Sequence, residues 1–109
     1  MSKLGSFELV ADVDVKAGEK TNIAALFPTS ERSKEYQLLE DVREGAKLQI
    51  SISKVKPLES MADGAFKKGD KVTSFRIIKY ADFIGDIVTS EDIKTGDKLS
   101  ISYETARVA

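Results

Sequence analysis

One six-residue formula occurs four times in this chain: an apolar residue, a basic one, any residue, Gly, usually an acidic residue, then Lys. The copies are Val15-Lys16-Ala17-Gly18-Glu19-Lys20, Val42-Arg43-Glu44-Gly45-Ala46-Lys47, Phe66-Lys67-Lys68-Gly69-Asp70-Lys71 and Ile93-Lys94-Thr95-Gly96-Asp97-Lys98. Gly accepts backbone angles that a side chain penalises, Asp beside it accepts backbone N–H groups, and the Lys opens a strand at a solvent-facing edge. Four such turns in 109 residues commit the chain to short strands.

The copies are also ordered. Gly18 and Gly69 lie 51 residues apart, as do Gly45 and Gly96. Setting residue n against n+51 without a gap gives thirteen identities between residues 7–53 and 58–104, with strand parity kept. They include Asp12/Asp63, Lys16/Lys67, Lys20/Lys71, Glu40-Asp41/Glu91-Asp92, Lys47-Leu48/Lys98-Leu99 and Ile50-Ser51/Ile101-Ser102. The pattern predicts a mainly β, single-domain fold over residues 1–109, a small β-barrel or β-clip-like fold built from a tandem duplication. The halves run over 7–56 and 57–109 and share one core around a pseudo-two-fold axis, because a unit this short cannot bury its own apolar face.

Along the chain, residues 6–15 alternate as a half-buried strand, with Phe7, Leu9, Ala11, Val13 and Val15 on one side. Residues 20–27 form a second strand-length apolar run, closed by Pro28. Residues 30–40 are the one short helix expected, with Ser30 as cap, although Tyr36 to Leu39 also suits a strand. Residues 48–52 and 99–103 alternate as strands, residues 71–80 read as a strong strand, and 83–88 as a short one broken at Gly85-Asp86. Residues 56–64 look like a linker between the halves, and a second helical turn fits near 89–93.

Asp92-Ile93-Lys94-Thr95-Gly96-Asp97-Lys98-Leu99 resembles the I-K-x-G-D-x-L boxes of double-psi and swapped-hairpin barrels, and Asp14-Val15-Lys16-Ala17-Gly18-Glu19-Lys20 is similar to the opening of β-clip domains such as SAF modules. The resemblance implies a barrel or clip. Those families range from DNA binding to sugar binding to enzyme subdomains, so it implies no site residue.

Composition removes most chemistry. The chain has no Cys and no His, hence no thiolate nucleophile, no Cys-ligated zinc and no imidazole base. A symmetric carboxylate pair, Asp12 with Asp63 or Asp41 with Asp92, would be the one acid–base device a duplication offers. Asp63-Gly64-Ala65 lacks the Asp-Thr/Ser-Gly pattern of aspartic proteases, and neither a phosphate loop nor a calcium loop occurs. The reading is therefore no enzyme, no cofactor and no metal site, with Asp70 and Asp97 as turn formers. The net charge is −1 and the longest apolar run is 23–27, so no membrane partner is expected, and the chain reads as cytoplasmic or as part of a particle, such as a virion, assembled there.

Charge is uneven, however: residues 51–80 carry seven Lys/Arg against three Asp/Glu. Within 66–83, Lys67, Lys68, Lys71, Phe75, Arg76, Lys79 and Tyr80 interleave cations with rings, as a single-stranded nucleic-acid groove would. Phe75, Arg76 and Tyr80 stand opposite Ala24, Ala25 and Thr29 in the repeat, so they belong to the second half alone. Parity opposes one shared face, since Lys71, Phe75 and Lys79 would point one way along a strand and Arg76 and Tyr80 the other. The leading expectation is thus a non-enzymatic structural, assembly or protein-binding domain, a self-associating subunit of a larger particle such as a capsid or tail. Nucleic-acid binding through 66–83 is the alternative. Self-association is expected through an exposed edge at 48–53 or 99–104.

Overall fold

The computed structural model describes residues 3–105. In chain order these form β1 (Lys3–Val10), β2 (Lys20–Thr21), α1 (Ile23–Leu26), α2 (Thr29–Arg32), β3 (Glu35–Gln37), β4 (Lys47–Ile52), β5 (Leu58–Met61), β6 (Lys71–Thr73), α3 (Tyr80–Ile84), β7 (Ile87–Val88) and β8 (Lys98–Thr105). The fold is mainly β. One four-stranded sheet has the order β1-β8-β4-β5, and β2 with β7 and β3 with β6 form two further antiparallel ladders. The described strands do not close into a barrel.

The four repeated turns behave alike. Gly18, Gly45, Gly69 and Gly96 all have positive φ, between 78° and 94°, a region where a Cβ would meet the carbonyl oxygen. The neighbouring acids fasten the turns as expected: Asp70 accepts the Lys67 N–H at 3.0 Å and Asp97 the Lys94 N–H at 2.9 Å. A second set of clasps comes from farther along the chain. Asp41 accepts the Lys68 N–H at 2.7 Å, Asp92 the Ala17 N–H at 2.8 Å, and Asp14 the Thr95 N–H at 2.7 Å. Asp41 and Asp92 thus hold two different turns.

The alternating strands bury the residues their pattern assigns inward. Leu48, Ile50, Ile52, Leu99, Ile101 and Tyr103 are all buried in one core that also takes Leu9, Phe27, Leu38, Phe75, Ile77 and Ile78. β4 and β8 meet with Ile50 opposite Tyr103, Ser51 opposite Ser102 and Ile52 opposite Ile101. These are the two central strands of the sheet, so association through an edge at 48–53 or 99–104 is ruled out: both sides of each are already paired. The sheet's edges are β1 and β5, and β5 occupies the segment read as a linker.

The helices differ from expectation in number and place. Three short ones occur among the described residues, and the one expected over 30–40 stops at Arg32, giving way to β3. Its N-cap is Pro28, whose side chain cannot accept a bond; Ser30 lies inside the turn. At residues 20–27 only two residues are strand, because Asn22 caps α1 by accepting the Ala25 N–H at 2.8 Å and turns the apolar run into a helical turn. Residues 71–80 likewise leave the ladder after Thr73, with Phe75 and Ile77 buried in successive turns and Ile78 buried in a bridge to Ala62. Around 89–93 there is no helix: Thr89 and Ile93 are each engaged in a β-bridge, to Val55 and Val15.

Candidate functional site

Two adjoining clefts share Arg76. The first, about 310 Å³, is lined by Thr29, Arg32 and Ser33 at α2, by Tyr80 and Phe83 on α3, and by Asp63, Thr73, Phe75, Arg76 and Ile78. The second, about 410 Å³, contains Phe66, Lys71, Val72, Thr73 and Arg76 beside Glu35 and Asp70. Arg76 stands between them because its guanidinium lies 5.6 Å from the centroid of the Phe66 ring and 3.7 Å from the Asp63 carboxylate. Both members of that ion pair are about half exposed, so it orients the side chain more than it stabilises the fold. Arg32 is fixed more firmly: its Nε donates to the Phe27 carbonyl at 2.9 Å and its Nη2 to the Thr29 hydroxyl at 3.1 Å.

Of the seven residues singled out from sequence, the structure brings some together and separates others. Lys71 and Arg76 share the second cleft, and Arg76 and Tyr80 the first. Lys79 lines a third cleft of about 240 Å³ with Lys47, Glu59, Ser60, Met61 and Asp82. Lys67 and Lys68 are exposed on their Gly turn, their backbones held by Asp70 and Asp41. Phe75 is 1% exposed and belongs to the core, stacked or edge-on against Phe7, Phe27, Phe83 and Tyr103 with centroids 5.7–6.2 Å away. It is not available to stack on a base.

The surface sets Tyr80, singled out from sequence, beside an aliphatic residue that was not. On α3, Tyr80 is 75% and Ile84 63% exposed, one helical turn apart. Their repeat counterparts, Thr29 and Ser33, flank the first cleft from the other side. Arg32 and Ile84 could have been found by the same comparison: each sits where the two halves diverge, Arg32 opposite Phe83 and Ser33 opposite Ile84. α3 is anchored on β5 by the Ser60 hydroxyl, which donates to the Asp82 carboxylate. α2 is anchored on β1 by Glu31, which accepts the Val10 N–H at 3.0 Å and pairs with Lys34. Those contacts, the Lys34 hydrogen bond first, hold the Glu31 carboxyl below the usual range.

Asp63 faces Arg76, Asp41 and Asp92 act as turn clasps, and among the described residues no three acidic side chains converge as a metal cluster would. No described helix is long and apolar enough to cross a membrane. No protein-family model, curated protein or solved structure matches the chain.

Proposed function

We propose that this chain is a non-enzymatic assembly domain, a self-associating subunit of a larger particle formed in the cytoplasm, a virion component being one such case. The observation that carries the reading is the exposed Tyr80–Ile84 pair on α3 beside a cleft edged by Arg32 and Arg76. Isolated exposed apolar residues are ordinary, but two large ones one helical turn apart, next to an arginine-lined cleft, have the composition of a binding hot spot. The residue after the cap of α3 supplies complementary charge: Asp86 is exposed and suits the Arg32 and Arg76 of a second copy packed against it.

A tandem duplication accounts for how the surface arose. Equivalent bonds recur 51 residues apart. Asp12 N–H donates to the Leu26 carbonyl and Asp63 N–H to Ile77; Gly18 N–H donates to Thr89 and Gly69 N–H to Leu38, all at 2.8–2.9 Å. Ser51 and Ser102, themselves 51 apart, pair with each other where a two-fold axis would pass. On that scaffold α2 and α3 are counterparts, and only α3 carries large exposed apolar side chains.

Sedimentation equilibrium over a wide concentration range tests the reading. The wild-type chain associates reversibly with rising concentration, and the Tyr80→Ser/Ile84→Ser variant loses that concentration dependence with unchanged stability. A second reading, single-stranded nucleic acid, draws on the cleft that unites Lys71, Arg76 and the ring of Phe66. A monomeric wild type that binds oligo-dT, weakening steeply between about 50 and 200 mM salt, would replace the first reading with the second.

A further inference from the structure

All five ladders between named strands join an element before residue 53 to one after residue 57: β1 to β8, β4 to β8, β4 to β5, β2 to β7 and β3 to β6. The bridges Val15–Ile93 and Val42–Phe66 cross in the same way. Each half therefore completes every ladder between named strands on the other half; within the halves, among the described residues, only the Ala62–Ile78 bridge and single bonds such as Leu39 N–H to the Leu4 carbonyl occur. A single short connection, residues 53–57, folds the second half back onto the first that bears it.

That connection is under strain. Lys54 has φ +64°, the one described residue other than Gly in the left-handed region, where a Cβ is unfavourable. The turn is closed by the Val55 N–H donating to the Ile52 carbonyl at 3.1 Å. The Lys54 ammonium pairs with Asp97 at 3.1 Å, but both side chains are about a third exposed, so the pair offsets little of the strain. Pro57 fixes its own φ and favours an extended residue before it.

We infer that two copies of this chain exchange halves about residues 53–57, giving a domain-swapped dimer. In it the connection runs extended, the Lys54 strain is released, and the first half of each copy receives β5 to β8 from the other through the same ladders that close the monomer. The interface needs no new contact, since it is the interface between the halves. This dimer is independent of the α3 surface, and the two kinds of association are separable.

The absence of cysteine allows a clean test. Ser51 and Ser102 are directly opposite in the β4–β8 ladder, at a separation that a disulfide can span. The Ser51→Cys/Ser102→Cys variant is unfolded, refolded at high concentration, separated by size and oxidised. The dimer fraction is expected to carry disulfides between chains, running at twice the chain mass under non-reducing denaturing conditions, and the monomer fraction disulfides within the chain. Lys54→Gly, which removes the strain, lowers the swapped fraction by roughly fivefold or more. Lys54→Pro, which forbids φ +64°, raises it, and the Tyr80→Ser/Ile84→Ser changes leave it unaltered. Refolding that yields only monomer in the wild type and in both Lys54 variants would overturn the inference. So would a dimer whose disulfides all lie within single chains, which would instead mark association through a surface.

Discussion

Phe75→Ala separates a core role from a surface role for the aromatic that sequence alone placed among the binding residues. Phe75 is 1% exposed and faces four rings within 6.2 Å, so truncation removes a fully buried side chain and opens a void between β1, α1, α3 and β8. Burying an aromatic of this size and the cavity left by its loss together set the cost at about 3–5 kcal/mol. Against the 5–15 kcal/mol of a typical domain this is a large fraction, and for a chain of this length it lowers Tm by about 12–25 °C. Urea and thermal unfolding followed by circular dichroism measure it, with Phe75→Leu falling between the two. Tyr80→Ser, at a residue 75% exposed, changes stability by less than about 0.5 kcal/mol. A Phe75→Ala cost below about 1 kcal/mol, or equal costs at the two sites, would refute the placement of these residues.

Tyr103, buried, and Tyr36, half-buried against the core, give opposite answers to one substitution. Tyr103 donates its hydroxyl to the buried Ser74 carbonyl at 2.8 Å, so Tyr103→Phe leaves that oxygen unpaired and costs about 1–2 kcal/mol. The Tyr36 hydroxyl is buried without a partner, so Tyr36→Phe is neutral or stabilising by up to about 1 kcal/mol; chemical denaturation of both variants checks the pair. Burial raises the ionisation of both phenols above the usual tyrosine range. Neutral phenol is thus favoured in the folded chain, and stability present below about pH 10 is lost as pH rises further; absorbance titration should find two of the three tyrosines ionising only as the chain unfolds. On the acid side, Asp14 is held low chiefly by the Thr95 N–H, Glu31 by Lys34 and the Val10 N–H, and Asp97 by the Lys94 N–H and then Lys54. Their folded values lie below the unfolded ones, so Tm is level above about pH 5 and falls as pH drops below about 4; equal Tm at pH 3 and pH 6 would contradict these contacts.

The turns were legible because their chemistry is local: a Gly with positive φ and an Asp three residues past the N–H it accepts leave their mark in adjacent letters. Leu48 to Ile52 and Leu99 to Tyr103 were legible because one face of each is buried and period two survives in the sequence. What was hidden depends on contacts between distant residues. Nothing in residues 48–53 says that β8 and β5 cover both sides of that strand, which is why an edge seemed available there. Residues 20–27 and 71–80 are apolar runs without a clean period, and a strand cannot be told from bends packed into a core by periodicity alone. The helix at 29–32 ends early because Glu35 to Gln37 pairs with Lys71 to Thr73, a tertiary ladder that overrides local preference. The candidate surface was half visible: divergence from the repeat led to Arg76 and Tyr80, and following it one helical turn further would have reached Ile84.

The central claim is that the face formed by α3 and the Arg32–Arg76 cleft is where copies of this chain meet. A concentration series of two-dimensional amide NMR spectra on the wild-type chain tests it residue by residue. The account predicts shifts that move with concentration at residues 80–84 and at Arg32 and Arg76, while the turn at Lys67 and Lys68 stays still. Spectra that do not change up to the highest concentration reached, or that change at 67–71 only when oligo-dT is added, would contradict it.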